Sequence, residues 1–475
     1  MTGAGPALGD RTGRTSSTTG AIGSSMDHSI DRRTQRLIEA PIVPLLIRLA
    51  WPNVLIMLAQ ASTGLIETWW VARLGTDALA GMALVFPAFM LMTAISAGAM
   101  GGGISSAVAR ALGSGDRATA DALVLHALVI SLMFGLGFSA IFLLFGRPIY
   151  AFLGGAGGEL EAALLYSNTL FAGIVLIWLM NGLASIIRGT GNMLFPASVI
   201  CGGVVFLIPA SPMLIFGFGP IPALGIAGGA VALLAYFAGG TLAMAWYILS
   251  GRNPARLTFV RLRWAPLASI LRIGMLSAFT SLQTNITIAG ATALVAASAG
   301  VEAVAGFGTG VRLEYLLLPL IFGMGAPMVA MVGTNIGAGH GDRAMKIAWA
   351  GAGLTFVLTE TIGVAAALFP EAWLSMFSAE PEMIAAGSAY LRVVGPFYGF
   401  FGLGLSLYFA CQGAGRLFWP IVAGIARIVI ALGGGWLVLA LTGSLYALFA
   451  ALSLALVVYG LTIAAAIRSG AWLRI

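Results

Sequence analysis

Carboxyl groups set deep in apolar sequence are the residues of this chain best suited to chemistry. Burial away from water disfavours the charged form, so such a group can exchange a proton at physiological pH. Glu67 stands six residues before Arg73 in Ile66-Glu-Thr-Trp-Trp-Val-Ala-Arg-Leu-Gly75, about 9 Å of helical rise from that charge. It reads equally as an ion-coupling acid and as an acid that snorkels to the interface, since Trp69 and Trp70 look like part of an aromatic belt. Glu360 lies deeper, in Thr355-Phe-Val-Leu-Thr-Glu-Thr-Ile-Gly363 with apolar residues on both sides, and its depth marks it as a second ion-coupling candidate. Glu314 and Arg427 each fall about ten residues into an apolar run, which brings both to mid-membrane at ~1.5 Å per residue. A buried structural ion pair is the expected relation, because lipid penalises an unpaired charge and Arg cannot surrender its own. Gln283, Thr284 and Asn285 make a polar patch that either lines a substrate cavity or hydrogen-bonds a neighbouring helix.

The elements that must hold these groups follow from composition. Of 475 residues, 59% are hydrophobic and 9% charged, against roughly 45 to 50% and about 25% in soluble domains. A mean hydropathy of +0.99 excludes a water-soluble enzyme and describes a polytopic protein whose partner is the lipid bilayer. The net charge of +7 reports where loops sit and does not imply nucleic acid. Cys201 and Cys411 lie inside apolar runs, and His28, His126 and His340 are scattered, so neither a disulfide framework nor a metal site is expected.

Apolar runs long enough to cross a ~30 Å hydrocarbon layer recur twelve times. They cover residues 44–73, 78–111, 122–145, 162–187, 195–216 and 224–249, then 267–299, 303–336, 347–369, 383–410, 418–441 and 445–467. Each is expected to be helical, because an isolated strand leaves its backbone unsatisfied in lipid. The division expected is a disordered cytoplasmic tail (1–40), a six-helix lobe (41–250), a cytoplasmic linker (251–265) and a second six-helix lobe (266–475). Arg11, Arg14, Arg32, Arg33, Arg36, Arg110, Arg117, Arg188, Arg252, Arg256, Arg261, Arg263, Arg343, Lys346, Arg416 and Arg468 all fall on the side of the termini. That side is therefore expected to be cytoplasmic.

Three segments recur in order. Leu74-Gly-Thr-Asp-Ala-Leu-Ala-Gly81 returns as Ala299-Gly-Val-Glu-Ala-Val-Ala-Gly306, displaced by 225 (74 to 299). Gly115-Asp-Arg-Ala118 returns as Gly341-Asp-Arg-Ala344, displaced by 226 (115 to 341). Gly189-Thr-Gly-Asn-Met-Leu-Phe-Pro196 returns as Gly413-Ala-Gly-Arg-Leu-Phe-Trp-Pro420, displaced by 224 (189 to 413). Two homologous six-helix halves with the same orientation follow, related by an axis along the membrane normal and able to rock about a shared cavity. Lys346 is the only lysine and no Gly-x-x-x-x-Gly-Lys-Ser/Thr stretch exists, so without a partner chain there is no P-loop, and an ion gradient is the expected energy source.

These repeated residues resemble the multidrug and toxic compound extrusion (MATE) family, over nearly all of residues 41–467, with the DinF-like branch nearest. Residues 66–75 look like the end of that family's first helix, where the branch usually has Asp and this chain has Glu67. Gly333-Thr-Asn-Ile-Gly-Ala-Gly339 is similar to the family's eighth-helix exit, and the Gly189 and Gly413 segments to its loops after helices four and ten. Asn181 falls where the branch has an Asn on helix four. The resemblance implies two lobes, a central cavity and export of drug-like organic compounds against inward H+ or Na+. It also implies a departure on helix five: where the branch has Asn and then Asp-Pro, this chain has Leu207-Ile-Pro-Ala-Ser-Pro212, leaving Ser211 as a weak hydroxyl. Helix seven lacks the Glu of other branches and offers only Gln283, Thr284 and Asn285.

The resulting expectation is an all-α membrane protein of twelve transmembrane helices in two pseudosymmetric lobes, a monomer in the inner (plasma) membrane without a resident cofactor. It would exchange small organic, including cationic, compounds for H+ or Na+, with Glu67 as the coupling acid, Asn181 orienting it, and Ser211 and Glu360 as further ion-coupling candidates. Alternatives are a lipid-linked sugar flippase, which needs a cationic cavity, and a membrane-embedded enzyme or scaffold, for which no catalytic constellation of recognisable spacing is present.

Overall fold

The computed structural model describes residues 2–3 and 32–474, and within them regular structure is helical apart from one isolated bridge between Phe218 and Ile221. The twelve membrane-length elements are α1 Ile42–Leu74, α2 Thr76–Gly113, α3 Arg117–Phe152, α4 Gly157–Ala172 with Val175–Gly189, α5 Leu194–Phe216, α6 Ile226–Leu249, α7 Trp264–Ser298, α8 Val301–Gly337, α9 Gly341–Leu368, α10 Pro381–Ala414, α11 Phe418–Thr442 and α12 Leu445–Arg468. Helix α3 starts five residues before the apolar run does, because Asp116 caps it by accepting from the Thr119 N–H at 2.9 Å. Helix α4 bends by 47° at Gly173. The carbonyls beside the break keep partners, Phe171 O accepting from Ser139 Oγ at 2.7 Å and Leu176 O from Thr241 Oγ1 at 3.0 Å, as lipid requires. Helix α5 runs unbroken through Pro209 and Pro212.

Two hydrophobic cores divide the chain. One is built mainly from α1 to α6, with Ile56, Val71, Trp178 and Phe237 among its members. The other is built mainly from α7 to α12, with Phe307, Met328, Tyr398 and Phe449. Helix α1 belongs to both. Leu46, near its start, packs in the second core, and Asn53 Nδ2 donates to Phe322 O (3.0 Å) and Gly323 O (3.3 Å) of α8. Its other end packs against α5, so α1 crosses diagonally from one lobe to the other.

The lobes meet most closely near the termini. At Gly113 of α2 a Cβ would overlap the Thr334 carbonyl, and at Gly337 of α8 one would overlap the Arg110 carbonyl. Only glycine lets these backbones touch. Ser106 Oγ donates to Gln412 O (2.6 Å) and Gly413 O (3.1 Å), and Arg110 Nη1 to Gly413 O (3.0 Å), stitching α2 to α10. The opposite half of α2, Thr76–Thr93, packs against the Gly157–Ala172 part of α4 in its own lobe. Contact between the lobes is thus concentrated toward the side of the termini.

One expectation is corrected. The tail assigned to residues 1–40 does not stay irregular to its end, because Arg32–Glu39 forms a helix. Burial explains it: Thr34 and Leu37 are both 3% exposed. The helix also straddles the seam. Arg33 Nη1 donates to Tyr247 OH of α6 at 2.9 Å, and Leu37 packs on Gly191 of the first lobe. Leu37 O accepts from Asn335 Nδ2 of α8 at 3.0 Å, and Ala40 O from Arg343 of α9. Residues 1 and 4–31 of the expected tail lie outside the described residues.

Replacing Gly337 with Val inserts atoms into a filled contact, which should cost about 1–3 kcal/mol and wedge the seam apart. Spin labels at Ala118→Cys and Asp342→Cys should then report a longer distance than in the parent. An unchanged distance would show that the seam closes without this contact.

Candidate functional site

The first lobe holds its acid in an apolar chamber. Glu67 is 1% exposed, and neither carboxylate oxygen has a hydrogen-bond partner. Two residues along α1, Trp69 is 54% exposed with the Arg73 guanidinium 3.8 Å over its ring. Trp69 thus faces outward, while Glu67 faces the lobe interior and does not snorkel. Gly229 of α6 makes room, since a Cβ there would sit 2.6 Å from Glu67 Oε2. Ser211 of α5 is fully buried beside the carboxyl, and its hydroxyl has no other partner.

Glu67 opens onto a cavity of ≈ 210 Å³ lined by Phe86, Phe89, Tyr166, Met180, Asn181 and Tyr236 among others, in which it is the only charged residue. The bend in α4 positions two of these, with Tyr166 ahead of it and Asn181 behind. The rim includes Gln60 on α1 and the half-exposed Phe86 and Met90 on α2. Helices α1 and α2 are also those that meet α8 and α7, so the chamber gives onto the cleft between the lobes. Asn181 shares the chamber without orienting the acid: its Nδ2 donates to Ser96 Oγ at 3.1 Å, in the π-helical turn Ala94–Met100 of α2.

The other expected site residues are dispersed. Glu360 Oε2 accepts the Gly399 N–H at 2.7 Å, where α10 restarts after the 3-10 turn Gly395–Phe397. A carboxylate at a restarted helix N-terminus satisfies an orphan donor and favours the local dipole; Glu360 lines neither lobe's cavity. Gln283 is buried and donates to Ile421 O of α11 at 3.2 Å. Thr284 and Asn285 bond back to Thr280 O and Ser281 O of their own helix. Of the polar patch on α7, Gln283 alone bridges to another helix, while Thr284 is half-buried and Asn285 exposed.

Glu314 and Arg427 meet in the second lobe, Nη2 to Oε1 at 3.1 Å, with the Arg427 side chain 6% exposed and that of Glu314 8%. Tyr390 OH donates to Glu314 Oε2 and Tyr398 OH to Tyr390 OH, each at 3.4 Å. The guanidinium lies 5.0 Å over Phe401 and 5.7 Å over Tyr459. The pair borders a cavity of ≈ 30 Å³, room for a water but not for an organic ligand. Among the described residues no three His, Cys, Asp or Glu side chains gather as a metal would require.

Sequence reasoning missed Ser96, Tyr166 and Tyr236 in the first chamber. Tyr166 had a signal available, because the repeat displacement of 224 carries it onto Tyr390.

The MatE family model matches twice, over residues 52–213 and 277–437, so the duplication seen in three short segments extends through both halves. A FAD transporter of Shewanella oneidensis is 28% identical over 399 residues, covering 83% of this chain and 87% of the relative. A probable multidrug resistance protein NorM of Thermotoga maritima is 25% identical, covering 79% and 81%. The solved structure of a MOP superfamily transporter from Pyrococcus furiosus superposes with a TM-score of 0.83 at 23% identity, over 94% of this chain and 99% of that one.

Breaking a buried pair from one side costs about 3–5 kcal/mol, and the two sides are not equivalent. Glu314→Gln strands a guanidinium that cannot neutralise itself, whereas Arg427→Met leaves an acid that can take a proton. Thermal unfolding in detergent should therefore rank Glu314→Gln below Arg427→Met. The reverse order would place the stabilisation elsewhere.

Proposed function

Because the chain belongs to the MATE family of multidrug efflux transporters, we propose that it is a secondary active antiporter in which Glu67 is the coupling acid and the first-lobe chamber receives part of the substrate. The observation that carries this reading is a fully buried carboxyl group without a hydrogen-bond partner, opening onto an apolar cavity. An unpaired carboxylate is too costly to keep there. The acid is relieved by a proton or by a cationic ligand, and competition between the two for one site is what exchange requires.

The proton is the coupling ion we favour. A hard metal cation collects several oxygen donors, carboxylates foremost, and the chamber's lining holds one carboxylate, Glu67, beside neutral oxygens such as the Asn181 amide carbonyl and the Tyr166 and Tyr236 hydroxyls. The chamber's aromatic walls and single negative charge suit a lipophilic cation, held by the carboxylate and by ring faces. At ≈ 210 Å³ it is smaller than the ~300–1,000 Å³ of drug-sized pockets, so a bulky compound would insert one cationic or aromatic part and leave the rest in the cleft. The flavin dinucleotide suggested by the Shewanella relative's name carries a pyrophosphate, for which this chamber offers no cation. The same charge argument disfavours a lipid-linked sugar flippase: Arg427 is paired with Glu314, and Arg312 is exposed near Phe377.

Transport then follows from the two-lobe frame. With the lobes joined near the termini, a proton enters from the opposite side, loads Glu67 and displaces the cation there. Rearrangement at the seam opens the other side, where the proton leaves and substrate binds. We place the termini in the cytoplasm, following the Lys and Arg of the connecting loops, in the plasma membrane, with a monomer as the working unit.

In proteoliposomes with an imposed pH gradient, Glu67→Gln should lose gradient-driven movement of a fluorescent organic cation while staying folded by size-exclusion chromatography. Full activity in that variant would remove Glu67 from the mechanism. Accumulation driven by a sodium gradient alone would replace the proton. Preferential counterflow of a flavin dinucleotide over the cation would overturn the substrate assignment.

A further inference from the structure

The two lobes carry the same cavity, differently furnished. Met82, Tyr166 and Leu233 line the first-lobe chamber, and Phe307, Tyr390 and Leu456 line the second. These pairs are displaced by 225, 224 and 223 (82 to 307, 166 to 390, 233 to 456), close to the displacements of the sequence repeat. Each cavity is faced by a single carboxylic acid, Glu67 in one and Glu314 in the other. The acids do not correspond: Glu67 comes from α1, whereas Glu314 of α8 occupies the place of Phe89 on α2, at a displacement of 225 (89 to 314). Two homologous cavities thus present one acid apiece from different helices.

What differs is the counter-charge. Glu67 has no hydrogen-bond partner, while Glu314 has Arg427 at 3.1 Å and Tyr390 at 3.4 Å. Arg427 comes from α11, and its repeat counterpart at a displacement of 224 is Gly203 of α5 (203 to 427), so the first lobe has no cation at the equivalent place. The titratable groups around Glu314 are Tyr315 on its own helix, Tyr390 and Tyr398 on α10, Arg427 on α11 and, behind the guanidinium, Tyr459 on α12. Arg427 is the only cation among them. The second cavity holds ≈ 30 Å³ against ≈ 210 Å³ in the first.

We propose that Arg427 is a built-in counter-cation, occupying in the second lobe the place that the exchangeable ion takes in the first. The protein thereby moves one coupling ion per cycle, and loss of Arg427 turns Glu314 into a second ion site. This rests on the reading of Glu67 as the coupling acid. A guanidinium neutralises the carboxylate permanently, since Arg does not release its proton. It is also tethered to α11, so it cannot leave with the cycle as a proton does. Arg427 is then a positioning residue that acts through Glu314 and fixes the ion stoichiometry.

Infrared spectroscopy of the purified protein reads this directly, because a protonated carboxyl group has its own carbonyl band, which shifts in D2O. The spectrum of Arg427→Met minus that of Glu314→Gln/Arg427→Met isolates Glu314 and should show that band, while wild type minus the double variant should show none at Glu314. In proteoliposomes the ion-to-substrate ratio should be one in wild type and rise to two in Arg427→Met. A protonated Glu314 band in wild type, no band in folded Arg427→Met, or a wild-type ratio of two overturns the proposal. Where Arg427→Met alone fails to fold, the double variant, which buries no unpaired charge, remains the infrared reference, and a protonated Glu314 or a ratio of two in wild type still overturns the proposal. Gradient-driven transport surviving in Glu67→Gln would sink the coupling role of Glu67 alone, and the infrared difference would still report on Arg427.

Discussion

A carboxylic acid held in an apolar interior without a partner is the interaction on which the rest of this molecule depends. Such a group is tolerated only when its charge is met by something that can come and go, because the cost of a bare buried charge exceeds what a helix bundle can absorb. The surroundings of Glu67 fit the exchange proposed for it. Gly229 removes the side chain that would fill the space, and Ser211 offers a weak hydroxyl in place of a strong ligand. Phe86, Phe89, Tyr166 and Tyr236 surround the remaining volume with rings. The acid also sits on α1, whose two ends are committed to different lobes: Asn53 is bonded to α8, and Glu67 lies against α5 and α6. Any change at Glu67 therefore acts on an element that joins both halves.

The second lobe shows the other solution to the same problem. Glu314 is satisfied by a tethered guanidinium and a tyrosine chain, so its charge is settled inside the fold. Glu360 is settled differently again, as the acceptor for an orphan amide where α10 restarts. Depth in the membrane alone does not separate these three acids. What separates them is whether the neighbouring helix brings a cation, a backbone donor or nothing.

This explains how far the sequence could be read. Apolar length located all twelve helices, and the repeats at Gly115 and Gly341 or Gly189 and Gly413 located the two halves, because both signals are local in the chain. The burial of Glu67 was not local. Trp69, Trp70 and Arg73 support an interfacial reading equally well, and only the packing of α1 against α5 and α6 separates the two. The sequence offers Asn181 as a partner for Glu67, and the structure gives its Nδ2 to Ser96, which lies in a run of small residues whose π-helical turn has no clear sequence mark. Depth alone marks Glu360 as functional, and its Gly399 partner depends on the break at Gly395, which the sequence does not show. The helix Arg32–Glu39 was hidden by its polar composition, because its stability comes from what Thr34 and Leu37 touch across the seam.

That short helix makes the two ends of the chain mechanically unlike. Ahead of α1, Arg33 grips Tyr247 of one lobe while Leu37 and Ala40 hold Asn335 and Arg343 of the other. Beyond α12, Trp472 is buried in the core of the second lobe alone. A bulky fusion joined just before Arg32 would pull on a crosspiece between the two lobes and, in the cycle proposed above, act as a brake. The same cargo joined after Trp472 would load one lobe and leave that crosspiece untouched.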